Sequence, residues 1–179
     1  MTNDPWVTAD THYFHHNIIK YCKRPFKSVE KMNNVLIDNH NDTVKKEDDI
    51  FIIGDFIWGN DKSRASSIVS RLNGNIHLIL GNHDNMKPFD YVNAGVKSVH
   101  TSLELEKNLY LAHDPAVRCT LPDNAVLICG HVHGLFKFLI DKKVANCGVD
   151  IWDFKPIKLS ELLSKAVGYE VREEKENVN

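Results

Sequence analysis

Short apolar runs, rich in β-branched side chains, recur along the chain, and each stops at a polar exit. Residues 6–9 run into Asp10-Thr11-His12, 50–53 into Gly54-Asp55, and 76–80 into Gly81-Asn82-His83-Asp84. Residues 110–112 run into His113-Asp114, and 125–129 into Gly130-His131-Val132-His133. Runs of this length and composition predict buried strands. In an open α/β sheet, the C-terminal ends of the strands are where ligands bind. The glycine at 81 is expected to permit a tight turn that presents Asn82, His83 and Asp84.

Helical spacing fills the intervals. Residues 18–24 predict a short helical turn that Pro25 stops. Ser28 opens a helix with Val29, Met32, Val35, Leu36 and Asn39 on one face and Glu30 and Lys31 exposed. His40, just beyond that stripe, is expected at the helix end or the surface. Asp61 is placed to cap a helix carrying Ile68, Val69 and Leu72, and Ser160 to cap a last one carrying Leu162, Leu163 and Val167. Between them, residues 96–99 and 102–105 read as short strands. Residues 135–140 and 144–149 read as a hairpin across Asp141-Lys142-Lys143. This antiparallel, non-local pattern predicts a second sheet, although the pattern alone also accommodates a three-layer α/β domain. One domain over residues 1–168 is expected, followed by a polar, frayed tail at 169–179.

Composition narrows the function classes. The chain has 179 residues, enough for one domain with a full core, and 42% are hydrophobic. A formal net charge of -2 supplies no bulk attraction for nucleic acid, so any polyanion must be held locally. Cys22, Cys119, Cys129 and Cys147 lack C-x-x-C spacing and read as free thiols, the latter two buried. The start of the chain has no basic region followed by a long apolar stretch, and no run approaches transmembrane length. A reducing, cytoplasmic setting without membrane attachment is the expectation.

The strand exits carry the candidate chemistry. A cluster of Asp, Asn and His at one sheet edge needs a compensating charge, which divalent metal supplies. Asp10 and His12, two apart at a strand end, can converge on one ion. Asp55 is the natural bridge, because a carboxylate has two oxygens and can serve two ions. His77, inside a strand, reads as simple alternation. Candidate substrate contacts are His15, His16 and Asn17 in the first exit loop, Arg24 from the Lys20, Lys23, Arg24 basic cluster, and Arg118, whose planar fork suits phosphate. The basic cluster also reads as a solvated face, and Arg118 as a surface arginine.

The ordered blocks Asp10-Thr11-His12, Gly54-Asp55, Gly81-Asn82-His83-Asp84, His113 and Gly130-His131-Val132-His133 resemble those of the calcineurin-like metallophosphoesterases, in particular small single-domain bacterial and phage members. The resemblance extends through Asn17-Ile18-Ile19 and the stretch from Gly148 to Pro156, about residues 6–165 in all. It implies a four-layer α-β-β-α sandwich with two mixed central sheets flanked by helices. It also implies two divalent transition-metal ions, Mn preferred, with Fe, Zn, Co or Ni accommodated by the same N/O ligands. Asp10, His12 and His133 would hold the first, Asn82, His113 and His131 the second, and Asp55 both.

Two carboxylates against two such ions leave a local charge of about +2, suited to a phosphate ester. Water bridging the ions would attack phosphorus, with His83 as general acid and Asp84 either orienting His83 or fixing the turn. Phe14 stands where the family usually has glycine, so its ring is expected to narrow the pocket or reshape the loop. The implied activity is hydrolysis of small or cyclic nucleotide-type phosphodiesters. The alternatives are a nuclease acting on longer nucleic acid, a phosphomonoesterase, or a metal-containing nucleic-acid or regulatory binding module.

Overall fold

The central strand β2 (Asp49–Ile53) shows how alternation builds two cores at once. Ile50 and Ile52 project into a cluster with Met32, Leu36, Ile68 and Tyr91, whereas Phe51 and Ile53 project into a second cluster on the opposite face. Parallel to it run β1 (Trp6–Thr8) and β3 (Asn75–Ile79), with β4 (Ser98–His100) parallel beyond β3. A two-residue strand, β10 (Ile157–Lys158), adds antiparallel to β1. The computed structural model describes residues 4–167, so the tail predicted at 169–179 lies outside the described residues.

Three helices cover the outer face of this sheet: α2 (Val29–Thr43), α3 (Lys62–Val69) and α4 (Pro88–Asn93). Their starts follow from local chemistry. Ser28 Oγ accepts from Lys31 N at 3.2 Å, and Asp61 Oδ1 accepts from Ser63 N at 2.9 Å and Arg64 N at 3.2 Å. Pro88 opens α4, where its missing N–H costs nothing.

The second sheet has the order β5 (Ser102–Glu106), β6 (Leu109–Ala112), β7 (Val126–Cys129), β9 (Val144–Asn146), β8 (Phe138–Leu139). Its inner face sets Leu109, Leu111, Val126, Ile128 and Ala145 against Val7, Phe51, Ile53 and Ile79 of the first sheet. Leu159, Leu162 and Ala166 of α5 (Leu159–Val167) join this inter-sheet core. Each large apolar side chain so buried contributes about 1.5–3 kcal/mol. On the outer face, Val117 and Leu121 cover Leu127, Cys129 and Val144 from a 3₁₀ helix at Pro115–Thr120 and the residue after it. The expected sandwich of two mixed sheets is present, its fourth layer reduced to that thin cover.

Several local expectations are corrected. β6, β7 and β9 are mutually parallel, and only β5 and β8 are antiparallel edges, because the segment between β6 and β7 is long enough to cross over. The predicted hairpin at 135–149 shrinks to β8 and β9, joined through a 3₁₀ turn at Ile140–Lys142. Ser160 does not cap α5. It lies inside the helix, and Asp4 accepts from its N–H at 3.0 Å and its hydroxyl at 2.9 Å. The side chain of Val167 lies outside the described residues. His40 is buried with Nε2 2.8 Å from the Asn73 carbonyl, because the turn at 73–75 folds over the end of α2. His77 stacks on Phe51 and contacts Ser98 Oγ at 2.7 Å, far from the strand exits. Among the described residues no helix is long and apolar enough to cross a membrane.

Candidate metal centre

The C-terminal exits of β1, β2, β3, β6 and β7 meet where the two sheets adjoin. Asp10 N donates to Gly54 O at 3.0 Å, Gly130 N to His113 O at 3.1 Å, and Ala9 bridges to Gly148. Two groups of ligand atoms match the predicted residues, Asp10 with His12 and His133, and Asp55 with His113 and His131, each within 4.8 Å of one another; a third, Cys22 with His133 and Asp150, shares His133 with the first. Asp55 Oδ2 stands between the first two, 3.4 Å from His12 Nε2 and 3.4 Å from His113 Nε2. Asn82 Oδ1 closes the second group, 3.1 Å from His113 Nε2 and 3.0 Å from His131 Nδ1. All seven predicted ligand residues are thus brought to one place, in the predicted division.

The backbone there is held in an unusual state. Asp10, His12, Asp55, His131 and His133 have φ of 58°, 51°, 52°, 72° and 47°, in the left-handed region. An L-residue avoids that region by roughly 1–2 kcal/mol, and such strain persists where surrounding structure enforces it. Two glycines supply the close approach. Gly54 has φ 82°, and a Cβ on it would run into the His113 ring. At Gly81 the φ is not positive. A Cβ there would strike the Asp55 amide and carboxylate, so contact with Asp55, rather than the predicted turn, requires glycine.

Burial is graded across the centre. Asp10, His12, Asp55 and His113 are buried, while Asn82 and His131 are exposed at its mouth. Both ring nitrogens of His12 lack a hydrogen-bond partner although buried, a condition that costs roughly 1–3 kcal/mol per atom unless a ligand takes the lone pair. Burial drives His12 down to about 2 against the pull of Asp55, so its imidazole is neutral. Asp10 is pushed up to about 6 by burial. Burial also works to raise Asp55, but the hydrogen bond and charge of His113 bring it to about 2.

Ring orientation is fixed from behind. His113 Nδ1 lies 2.9 Å from Ile53 O, and His133 Nδ1 lies 2.8 Å from Asp150 Oδ2, which leaves each Nε2 for the centre. Burial opposes the charged form of both rings. Asp55 and Asp10 nevertheless hold His113 at about 9, and Asp150, with Cys22 and Asp10, holds His133 at about 10. An unpartnered buried imidazole, flanked carboxylate oxygens and a mixed N/O donor set fit divalent transition ions.

A pH dependence follows. Near pH 7.5 the metal-free protein carries protons on His113 and His133 that ligation must displace, so affinity should rise as pH climbs toward 9. Calorimetric metal titrations in two buffers of different ionisation heat should give different apparent enthalpies. Equal heats would contradict proton release.

A cavity of about 690 Å³ opens beside the first group, lined by His12, His15, Asn17, Tyr21, Cys22, Lys23, Trp58, His83, His133 and Asp150 among others. His83 belongs to neither ligand group. Its Nε2 is 4.0 Å from Asp55 Oδ2, and its amide donates to Asp55 Oδ1 at 2.9 Å. The hydrogen bonds of Asp84 fix the turn, its carboxylate accepting from Phe56 N at 3.0 Å, Gly81 N at 2.8 Å and Tyr91 OH at 3.3 Å. His15 and Asn17 line the cavity, whereas His16 is exposed outside the lining.

Three expectations change here. Arg24 is neither a solvated cation nor a phosphate contact. It is buried, paired through Nε and Nη2 with Asp150 at 2.8 and 2.9 Å, and it donates to the carbonyls of Asp10 at 2.7 Å and Thr11 at 3.1 Å. Arg118 is spent on the backbone carbonyls of Lys142, Leu121, Pro122 and Asp123. Phe14 keeps a left-handed backbone at φ 64°, the conformation glycine would favour. Its ring packs on the helix-side core under Arg64, outside the cavity lining, so it does not narrow the entrance. Asp150, Trp58 and Tyr21 were missed as site residues. The stretch 148–156 held the signal for Asp150, but nothing local marked the two aromatics.

Comparison with known proteins agrees with the geometry. A family model described as calcineurin-like phosphoesterase matches residues 5–112. The uncharacterized protein MJ1445 of Methanocaldococcus jannaschii is 36% identical over 163 residues, covering 86% of this chain and 86% of its own. The Gene 66 protein of Mycobacterium phage L5 is 25% identical over 183 residues, covering 84% and 88%. The crystal structure of AQ665, a protein of unknown function from Aquifex aeolicus, superposes with a TM-score of 0.69 at 27% identity, covering 88% of this chain and 96% of that one. With the family model matching more than half of its length, the chain belongs to the calcineurin-like phosphoesterase family and is a metal-dependent phosphoric ester hydrolase.

Proposed function

We propose that this enzyme is a phosphodiesterase acting on small diesters, with two divalent ions, Mn preferred, held by Asp10, His12 and His133 and by Asn82, His113 and His131, and shared by Asp55. When bound, such ions lower the pKa of a water and neutralise charge developing on phosphoryl oxygens. His83, in the cavity wall beside the Asp55 carboxylate, is placed to give a proton to the departing alkoxide. Asp150 holds the His133 ring, and Arg24 holds Asp150 together with the backbone of the first exit loop.

One observation carries the preference for diesters. A dianionic monoester favours a guanidinium fork, and every arginine among the described residues is engaged elsewhere. Arg24 and Arg118 are committed as described, Arg64 lies over Phe14, and Arg71 binds Asn34. Of the described lysines, Lys23 alone lines the cavity, so the described residues form no cationic track for a long strand. The test compares kcat/KM for bis(p-nitrophenyl) phosphate and p-nitrophenyl phosphate on the metal-loaded protein. Faster turnover of the diester is expected; faster turnover of the monoester would overturn the reading, and no turnover of either would favour a binding module.

A further inference from the structure

The cavity has a wall of rings that runs from its floor to solvent. At the floor, His12 and His83 lie 5.4 Å apart, and His83 and Trp58 follow at 5.0 Å between ring centroids. His15 is stacked on Trp58 at 3.8 Å and 27°, and Tyr21, the last residue of α1 (Ile18–Tyr21), meets His15 edge to face at 6.2 Å. The outer members are wet: Trp58 is 40% exposed and Tyr21 68%. Other exposed large apolar residues, such as Phe89 and Val92 of α4, lie outside this cavity. Trp58 and Tyr21 instead line a concave space that ends at the first ligand group.

We propose that one ester arm of the substrate is a nucleoside whose base lies against Trp58 and Tyr21. The proposal rests on the phosphodiesterase reading, because that reading puts the phosphorus at the floor. Planar heteroaromatic rings suit such a wall, since every base offers a π-face to an aromatic side chain. A cavity of about 690 Å³ exceeds what a simple alkyl or phenyl ester fills. Polar recognition of the base edge or sugar is available from Asn17, whose side chain makes no capping bond, and an anionic substituent can meet Lys23.

The test pairs two diesters with the same leaving group, thymidine 5′-(p-nitrophenyl phosphate) and methyl p-nitrophenyl phosphate, on the metal-loaded full chain. The wild type should prefer the nucleoside substrate. Tyr21→Ala and Trp58→Ala should each reduce that kcat/KM ratio on the order of 10-fold, with Trp58→Phe restoring most of it. Because Trp58 also touches His83, Tyr21→Ala is the cleaner variant. Calorimetric binding of adenosine 5′-monophosphate to the metal-loaded protein gives a readout independent of turnover, and its Kd should weaken on the order of 10-fold in Tyr21→Ala. Hydrolysis of both diesters with one ratio in wild type and variants, or an unaltered nucleotide Kd, would overturn the base-binding wall alone. Hydrolysis of neither diester would instead sink the phosphodiesterase reading, leaving nucleotide binding to decide the wall.

Discussion

Asp55→Asn should leave the protein with fewer than two tightly bound ions and lower diester turnover by at least the 10²- to 10³-fold that loss of one preorganised electrostatic stabiliser costs, on the order of 3–4 kcal/mol. The carboxylate Oδ2 is 3.4 Å from a nitrogen of each ligand group, so both groups lose their shared oxygen at once. The Asn side chain can still accept from His83 N, as Oδ1 does now, and its volume still fits beneath Gly81. Misfolding is therefore not the expected route to inactivity. Its amide cannot supply the second oxygen, and its lost charge removes one support for the high His113 pKa. Elemental analysis after desalting, alongside kinetics, checks this. Two ions retained with wild-type turnover would remove Asp55 from the bridge.

How much of this was legible in the sequence depended on distance along the chain. Asp10-Thr11-His12 and Gly130-His131-Val132-His133 each follow an apolar run, so strand and exit chemistry could be read together. That the exits share one edge follows from parallel pairing. Partnerships across the chain left no such trace. Arg24 and Asp150 are 126 residues apart, and a lysine- and arginine-containing stretch looks the same whether its guanidinium is solvated or buried against a carboxylate. Asp4 and Ser160 are 156 apart, and a serine before a helical stripe imitates a cap that a distant carboxylate in fact provides. Phe14 misled for a different reason. Its type differs from glycine, but its backbone does not, and residue type alone does not tell where a ring points. The aromatic wall was invisible because Trp58 comes from a different part of the chain from His15 and Tyr21 and stacks on His15 only in space.

His83→Asn should separate chemistry from metal binding. The substitution removes the proposed proton donor and leaves all seven ligand residues in place. For a diester with a poor alkoxide leaving group, turnover should fall on the order of 10²- to 10⁴-fold, the range for a positioned general acid. A p-nitrophenolate leaving group needs little protonation, so its loss should be much smaller. The backbone amide that donates to Asp55 is unaffected, and the side chain is half-buried, so stability should change little. Equal losses for good and poor leaving groups, at unchanged metal content, would make His83 a positioning residue instead.

In the proposed mechanism two ions act together in one site built around Asp55. The most direct test is a titration of metal-free protein with Mn, following bound metal and bis(p-nitrophenyl) phosphate turnover in the same samples. Little turnover is expected at one equivalent and full turnover only as the second equivalent binds, because phosphate charge would be neutralised from both sides. Full turnover at one equivalent, or in protein stripped of metal, would contradict it.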